Sequence, residues 1–203
     1  MRRESLAEQS ASRWDRLAAY YDAVMLPMEW LLLRRWRKRA VAALPSGVRW
    51  LEVGGGSGSN APFYPPGARG AFTDVSIGMV RCARKRSPVP LLVANAEHLP
   101  FRDGTFGGAL ATLVFCNVPD DHAGLNELRR VVAAAGTLVM IEHVRPESRI
   151  GGKAADLLER ITGPRGEHMN RRTVENVERA GFALIRVDNI LGTLFRLLVA
   201  KRS

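Results

Sequence analysis

The run Arg49 to Asn60, RWLEVGGGSGSN, places one acid and four glycines where a short apolar segment ends. Trp50 to Val53 reads as a strand with Glu52 near its end, and glycines follow at 54, 55, 56 and 58. Glycine takes positive φ readily and leaves no Cβ between the main chain and a ligand. A glycine-rich turn leaving a strand brings bare N–H groups against a nucleotide-like cofactor. A loop that only reversed the chain would not need glycine at four of five positions.

Two cofactors compete for this loop. Gly56-Ser-Gly-Ser-Asn-Ala61 can be fitted to the dinucleotide pattern G-x-G-x-x-G/A, with Asp74 about 20 residues on to hold a ribose. The other spacing is Glu52-x-Gly54-x-Gly56-x-Gly58, with an acid before the first glycine. A diphosphate is repelled by that carboxylate, whereas the ammonium of S-adenosylmethionine is attracted to it. Charge therefore favours S-adenosylmethionine over a dinucleotide, and either over a turn with no ligand.

The elements that must position this loop follow from periodicity. Residues 1–12 read as polar and loosely ordered, and helical character dominates from Ser12 to about Leu44 with a break near Pro27. Leu33, Trp36, Ala40 and Leu44 share one face of the second half, opposite Arg34, Arg35, Lys38 and Arg39. The favoured reading is a helix packed on a sheet with a solvated basic rim; contact with an anionic membrane is the alternative. Strands are expected at 70–73, 91–94, 105–113 and 136–142, and helices at 77–86, 122–132 and 170–180. Gly181 is the last helix's stop signal. Two more strands, 183–189 and 192–201, close the chain. This alternation predicts an α/β fold: one Rossmann-like, doubly wound, mostly parallel sheet with an antiparallel C-terminal edge strand. The whole of 1–203 is expected to form one domain, with 1–44 a helical cap and 45–203 the core.

Composition narrows the class. Hydrophobic residues make up 46% and charged residues 25%, ordinary globular values. No apolar run approaches the ~18–20 residues of a membrane span, nor does the start resemble a signal peptide, so a cytoplasmic location is expected, with the inner membrane face as a peripheral option. Cys82 and Cys116 lack C-x-x-C spacing and read as reduced thiols rather than metal ligands, so no metal is expected. The net charge of +10, carried by 30 basic residues of which all but Lys38, Lys85, Lys153 and Lys201 are arginine, favours anionic partners without choosing among lipid, RNA and small acids.

In an open α/β sheet, ligands lie outside the carboxyl ends of the strands. Asp74 ends the second strand, where a carboxylate can accept both ribose hydroxyls; its plainer role is to cap the next helix. Asn95 ends the third and can meet an adenine edge. The fourth ends in Thr112-Leu113-Val-Phe-Cys-Asn117, and the fifth in Glu142-His143.

Together these residues resemble the class I S-adenosylmethionine-dependent methyltransferases over nearly the whole chain. The resemblance implies cofactor contacts by Glu52, Gly54, Gly56, Gly58, Asp74 and Asn95. Gly55, Asn60, Val75, Ala96, Glu97, Thr112 and Leu113 join them from the same loop and strand ends. Trp14-Asp-Arg-Leu-Ala-Ala-Tyr-Tyr-Asp22, Glu97-His-Leu-Pro-Phe and Asn117-Val-x-Asp resemble the ubiquinone/menaquinone-biosynthesis C-methyltransferases. The 51–66 segment, Ile-Glu-His-Val and Gly-Glu-His-Met-Asn-Arg-Arg-Thr are similar to phosphatidylethanolamine N-methyltransferases and alkyl-thiol methyltransferases. Departures are Asn95 for a usual acid, Ala134-Ala135-Gly136 for Pro-Gly-Gly, Gly107 for Asp, and Trp14 for Tyr, which leaves Tyr21 as the aromatic over the cofactor.

Methyl transfer from a sulfonium needs positioning and dryness more than acid–base machinery. His143 is the expected base, with His168 a second candidate and each with a plain structural role as its alternative. Trp14, Asn117, Arg145 and His168 are expected beside the acceptor. Arg145, Arg149, Lys153, Arg160, Arg165, Arg171 and Arg172 outnumber Glu147, Asp156, Glu159 and Glu167 between 143 and 172, which suits an anionic headgroup if these charges are not merely solvated helix faces. The expected acceptor is a small molecule or lipid: a phospholipid amine, a thiol or a quinol precursor. RNA methylation and a catalytically inactive S-adenosylmethionine-binding protein are the alternatives; no appended RNA-binding module or Asn-Pro-Pro-Tyr-like motif supports the former.

Overall fold

Seven strands hydrogen-bond in the order β3-β2-β1-β4-β5-β7-β6. They are β1 (Trp50–Val53), β2 (Gly70–Asp74), β3 (Leu91–Val93), β4 (Phe106–Thr112), β5 (Val132–His143), β6 (Phe182–Asn189) and β7 (Phe195–Arg202). The helices are α1 (Leu6–Met28), α2 (Arg34–Ala42), α3 (Ile77–Ala83), α4 (Asp121–Val131), α5 (Arg149–Thr162) and α6 (Thr173–Arg179). The computed structural model describes residues 5–146, 149–163, 168, 170–190 and 194–203. Strands β1 to β5 pair in parallel, and β7 runs antiparallel to both β5 and β6. The antiparallel pair stands at the expected edge, with β7 lying inside and β6 outermost. Order reverses between β1 and β4, the switch point at which such sheets bind ligands.

Both faces of the sheet are covered, and for that reason β1 is buried at every position, Glu52 included, as is β4 from Gly108 to Thr112. Leu125, Leu128 and Val131 of α4 and Val177 of α6 meet Leu138 and Met140 on one face. Ala40 and Val41 of α2 meet Leu110, Val139 and Ile141 on the other. The apolar face expected of α2 is observed, with Leu33 and Ala40 buried and Trp36 and Leu44 half-buried, while Arg34, Arg35, Lys38 and Arg39 are exposed.

Pro27 does not end the first helix. It lies inside α1, and the chain continues through a wider π turn, Glu29–Leu33, into α2. Proline's missing N–H falls on the turn before it, and the π turn that follows takes in one extra residue, with Arg34 N–H donating to Glu29 O. Residues eight apart in a regular helix face different ways; the extra residue makes Glu29 and Arg37 behave like a pair two turns apart on one face. Their side chains meet, with Arg37 Nε 2.8 Å from a Glu29 oxygen.

Two further differences concern extent. Helix α5 was not expected between strand five and the last helix. Strand β5 starts at Val132, straight after α4, instead of at 136. Its turn carries Ala135 at φ 57°, the left-handed region that glycine normally fills. Between β1 and β2 there is one short 3-10 turn, Ala61–Phe63, because Pro62, Pro65 and Pro66 forbid a longer helix.

Candidate functional site

A cleft opens at the carboxyl ends of β1, β2, β3 and β4. Its floor is the glycine loop. Gly54 adopts φ 61°, and a Cβ there would lie 2.4 Å from Val114, so only glycine lets β1's end approach the loop after β4 this closely. Gly56 adopts φ 59° with nothing within 4 Å of where its Cβ would be, so this residue opens onto the cleft. Its N–H donates to Asp74 Oδ2 at 2.8 Å, and Ser76 N–H donates to Asp74 Oδ1 at 2.9 Å. Burial pushes the Asp74 carboxyl up, against those N–H bonds. Val75 N–H adds a third bond, and the carboxylate's remaining lone-pair capacity can accept a ligand hydroxyl.

Of the residues expected at the cofactor, Tyr21, Gly54, Gly55, Gly56, Asp74, Val75, Asn95, Ala96, Thr112 and Leu113 line the cleft, as do Trp14 and Asn117 from the acceptor side. Trp14 and Tyr21 meet edge to face at 5.8 Å, and Arg13 donates to Asn117 Oδ1 at 3.3 Å. Asn95 closes a turn on Glu97, accepting its N–H at 3.0 Å. Glu97 does not line the cleft; it accepts from Asp120 N–H at 2.8 Å and so ties the loop after β3 to the start of α4.

Glu52 is placed differently from the charge argument that singled it out. It is fully buried and does not line the cleft. One oxygen accepts from Asn60 Nδ2 at 2.8 Å, and the other accepts from the Tyr64 hydroxyl. Burial pushes its pKa up to about 8, so at neutral pH the group is largely a neutral acid beneath the loop. Asn60 is likewise buried under the cleft, bridging Glu52 and the Thr112 hydroxyl, the latter at 2.9 Å. Gly58 packs its φ 86° turn on Ala83 and faces α3 instead of the cleft.

The cation at this end is Arg37, which lines the cleft although the periodicity argument passed over it. It donates to Thr112 Oγ1 at 2.8 Å and Asn60 Oδ1 at 3.1 Å, and pairs with Glu29 at 2.6 Å. Glu29, Arg37, Thr112, Asn60, Glu52 and Tyr64 thus form one polar chain from the π turn to the underside of the glycine loop. The sequence signal was available: Arg37 sits on the buried side of α2 between Leu33 and Ala40, where an arginine demands partners.

Leu113 adopts φ 59° at the end of β4, a left-handed conformation uncommon for a branched residue. Glu142 holds the segment that follows: its Oε1 accepts from Val114 N–H at 2.9 Å and Phe115 N–H at 3.0 Å. Burial raises this carboxyl to about 7, opposed by those N–H bonds. Glu142 faces the same side of β5 as Leu138 and Met140, so strand alternation could have found it.

The expected bases lie elsewhere. His143 points to the opposite side of β5, 4% exposed, with its ring edge-on to Phe195 at 5.0 Å, and is not among the cleft's described lining residues. Phe195 is its partner across the β5–β7 ladder, so the ring follows the sheet and not the cleft. The His168 ring Nδ1 lies 2.7 Å from Glu159 Oε1, and its main-chain N–H donates to Cys116 O at 2.8 Å. Arg145 makes a two-pronged pair with Asp156, at 3.0 and 2.7 Å, which spends its fork on α5. Arg171 pairs with Asp121 at 2.9 Å. Of the remaining charges expected near the acceptor, Glu147, Arg165, Glu167 and the side chain of Arg149 lie outside the described residues.

The geometry bears on the choice of ligand. A dinucleotide loop sets its pyrophosphate on the N-terminus of the helix that follows. Here a single 3-10 turn with Pro62 follows instead. The open backbone at Gly56, the Asp74 carboxylate and the polar edge at Asn95 suit a nucleoside with an amino-acid tail.

A family described as "Methyltransferase domain" matches residues 51–140. The demethylmenaquinone methyltransferase of Streptomyces avermitilis is 34% identical over 154 residues, 72% of this chain and 66% of that protein. The enzyme of the same name from Paenarthrobacter aurescens is 30% identical over 147 residues, 70% of this chain and 58% of that protein. The chain therefore spans less than two-thirds of the length of these curated relatives. Among solved structures, an S-adenosylmethionine-dependent methyltransferase of Thermotoga maritima, described as a possible histamine N-methyltransferase, superimposes with a TM-score of 0.75 at 20% identity over 96% of this chain and 100% of that one. Geranyl diphosphate C-methyltransferase of Streptomyces coelicolor gives 0.76 at 14% identity, covering both chains fully.

Proposed function

The chain belongs to the class I S-adenosylmethionine-dependent methyltransferases, with S-adenosylmethionine as its cofactor, and we propose that it methylates a small lipophilic acceptor, a demethylmenaquinol-type quinol being the first candidate. The observation that carries this reading is the wall of the cleft around Leu113 and α1. It is built from Ala7, Trp14, Val114, Val118 and Pro119, with Ser10 and Asn117 as its polar groups. An uncharged, largely apolar molecule can be desolvated there at little cost.

In this reading Asp74 takes the ribose hydroxyls, Asn95 and Ala96 border the adenine, and Gly54, Gly56 and Arg37 receive the methionine end. The cofactor supplies an electrophilic methyl on a sulfonium that departs with its bonding electron pair. Leu113 and Val114, held by Glu142, shape the wall where acceptor and methyl meet. Trp14 and Tyr21 of α1 cover the cleft and exclude water, and catalysis is then mostly positioning. No histidine base is assigned: a quinol can bind uncharged, its electron-rich ring carbon takes the methyl, and that carbon then gives up its own proton to solvent.

The test is methyl transfer from labelled S-adenosylmethionine to a short-chain demethylmenaquinol, run beside phosphatidylethanolamine, an alkyl thiol and RNA. Label in the quinol, lost in Asp74→Asn together with cofactor binding in calorimetry, is the expected result. Label in RNA or phosphatidylethanolamine with none in the quinol would overturn the acceptor class. Undiminished cofactor affinity in Asp74→Asn would overturn the site assignment.

A further inference from the structure

The acids of α1 and the π turn are sorted to one side. Past the first turn they are Asp15, Asp22 and Glu29, seven residues apart and therefore on one face. Each is tied to the body of the protein. Asp15 accepts from the Ser76 hydroxyl at 2.6 Å and Gly78 N–H at 2.8 Å. Asp22 accepts from the Ser57 hydroxyl and pairs with Arg86 at 2.6 Å. Glu29 pairs with Arg37 at 2.6 Å.

The outward face is left with apolar and basic groups only. Tyr20 is 69% exposed, Val24 74%, Trp30 76% and Leu31 85%, and Leu17 continues the row. Exposed cations stand at both ends of it: Arg16 on one side, Arg34, Arg35 and Lys38 on the other. A row of large apolar side chains in water is costly unless something covers it. Cations at its ends with no carboxylate along it are complementary to an anionic, apolar-centred surface. Neighbouring protein surfaces ordinarily mix both signs.

We propose that this outward face of α1 and α2 docks in the headgroup layer of an anionic phospholipid bilayer. Trp30 and Leu31 enter the acyl boundary, while Arg16, Arg34, Arg35 and Lys38 pair with lipid phosphates. No helix among the described residues is long and apolar enough to cross a membrane, so the contact is peripheral. The same helix turns Trp14 and Tyr21 into the cleft, so docking sets the site directly behind the lipid-facing layer. The inference rests on the charge sorting and stands apart from which acceptor is methylated.

Co-sedimentation with vesicles of phosphatidylcholine alone, and of phosphatidylcholine with phosphatidylglycerol, tests it. The chain is expected on the mixed vesicles at low salt, to leave them as salt rises, and to stay off the neutral ones. Arg35→Gln with Lys38→Gln should lower the partition about 25-fold. Trp30→Ser with Leu31→Ser should abolish it. Calorimetry with S-adenosylmethionine should give unchanged affinity in both double variants, which shows that they fold. Failure of the unaltered protein to bind anionic vesicles at low salt overturns the proposal, as does binding that neither double variant weakens. A dimer in sedimentation without vesicles, dissociated by the Trp30→Ser, Leu31→Ser pair, would overturn it too, because the row would then be an interface between two copies.

Discussion

Glu52 and Arg37 exchange the roles that their positions suggest. An acid just before a glycine loop invites pairing with a cationic ligand, yet Glu52 is buried beneath the loop and held by Asn60 and Tyr64. Its protonated form resembles a glutamine. Glu52→Gln is therefore expected to keep cofactor affinity within about threefold, since Gln can accept from Asn60 and donate to Tyr64. It should also change how stability depends on pH. In the folded chain burial pushes Glu52 up to about 8 and Glu142 up to about 7, while in the unfolded chain both ionise near 4.5, the ordinary value of a glutamate. Above that value the unfolded state releases protons that the folded state keeps. Each group then lowers stability by up to about 1.4 kcal/mol per pH unit, Glu142 until pH reaches about 7 and Glu52 until about 8. Thermal melts from pH 5 to 9 should show stability declining with pH, and declining less steeply in Glu52→Gln; equal slopes would mean that Glu52 is ionised when folded. His143 gives a second outcome at this scale. Loss of a true general base costs about 10²–10⁴ in rate, whereas His143→Gln, away from the described cleft wall, should cost turnover less than tenfold.

At the scale of the elements, what could be read in advance was whatever periodicity controls. The strand–helix alternation, the apolar face of α2 and the strand-end positions of Asp74, Asn95, Thr112 and Leu113 all follow from local pattern, and all are observed. What could not be read depends on contacts distant in sequence. Whether an acid on a strand faces a ligand or the space under a loop depends on Tyr64 and Asn60 folding back over it. Whether the chain after Pro27 stays helical depends in part on Arg37 finding Glu29, Asn60 and Thr112. Helix α5 escaped notice because two glycines in its first turn hide its pattern. The Ala134-Ala135-Gly136 turn was legible only as a departure from Pro-Gly-Gly, and φ 57° at Ala135 shows what the departure does to the backbone. Left-handed backbone costs an L-residue about 1–2 kcal/mol, against roughly 0.5–1 kcal/mol for glycine's extra freedom when unfolded. Ala135 is exposed, so no packing is lost on substitution. Ala135→Gly should raise stability by about 0.5–1 kcal/mol, seen as a melting point higher by about 1–4 °C. A lower melting point would show that the turn relaxes out of the left-handed region.

Across the molecule, cohesion is uneven in a way that matches the chemistry. The sheet carries the continuous apolar clusters, with Leu51, Ala109, Leu110 and Val139 fully buried. Helix α1, 23 residues long, buries only Ala18 among its described residues. It is held instead by polar tethers, Asp15 to Ser76 and Gly78, and Asp22 to Ser57 and Arg86, several of them open to water. Partly exposed hydrogen bonds and ion pairs are worth about 1 kcal/mol or less each, so α1 can leave the core at a fraction of the cost of global unfolding. It is also the element that carries Trp14 and Tyr21 over the cleft. A cofactor bound beneath it adds contacts that only the closed position of α1 makes. Amide hydrogen exchange should therefore be much faster in 6–28 than in β1, β4 and β5 of the unliganded chain. S-adenosylmethionine should slow exchange in α1 while leaving α4, on the opposite face of the sheet, unchanged. Asp15→Ala, which cuts the tether to α3 without touching the cleft wall, should speed exchange in α1 and weaken cofactor binding together. If that variant quickens α1 while affinity stays the same, the helix is an appendage and not a cover, and closure of the site has to come from the loop after β4.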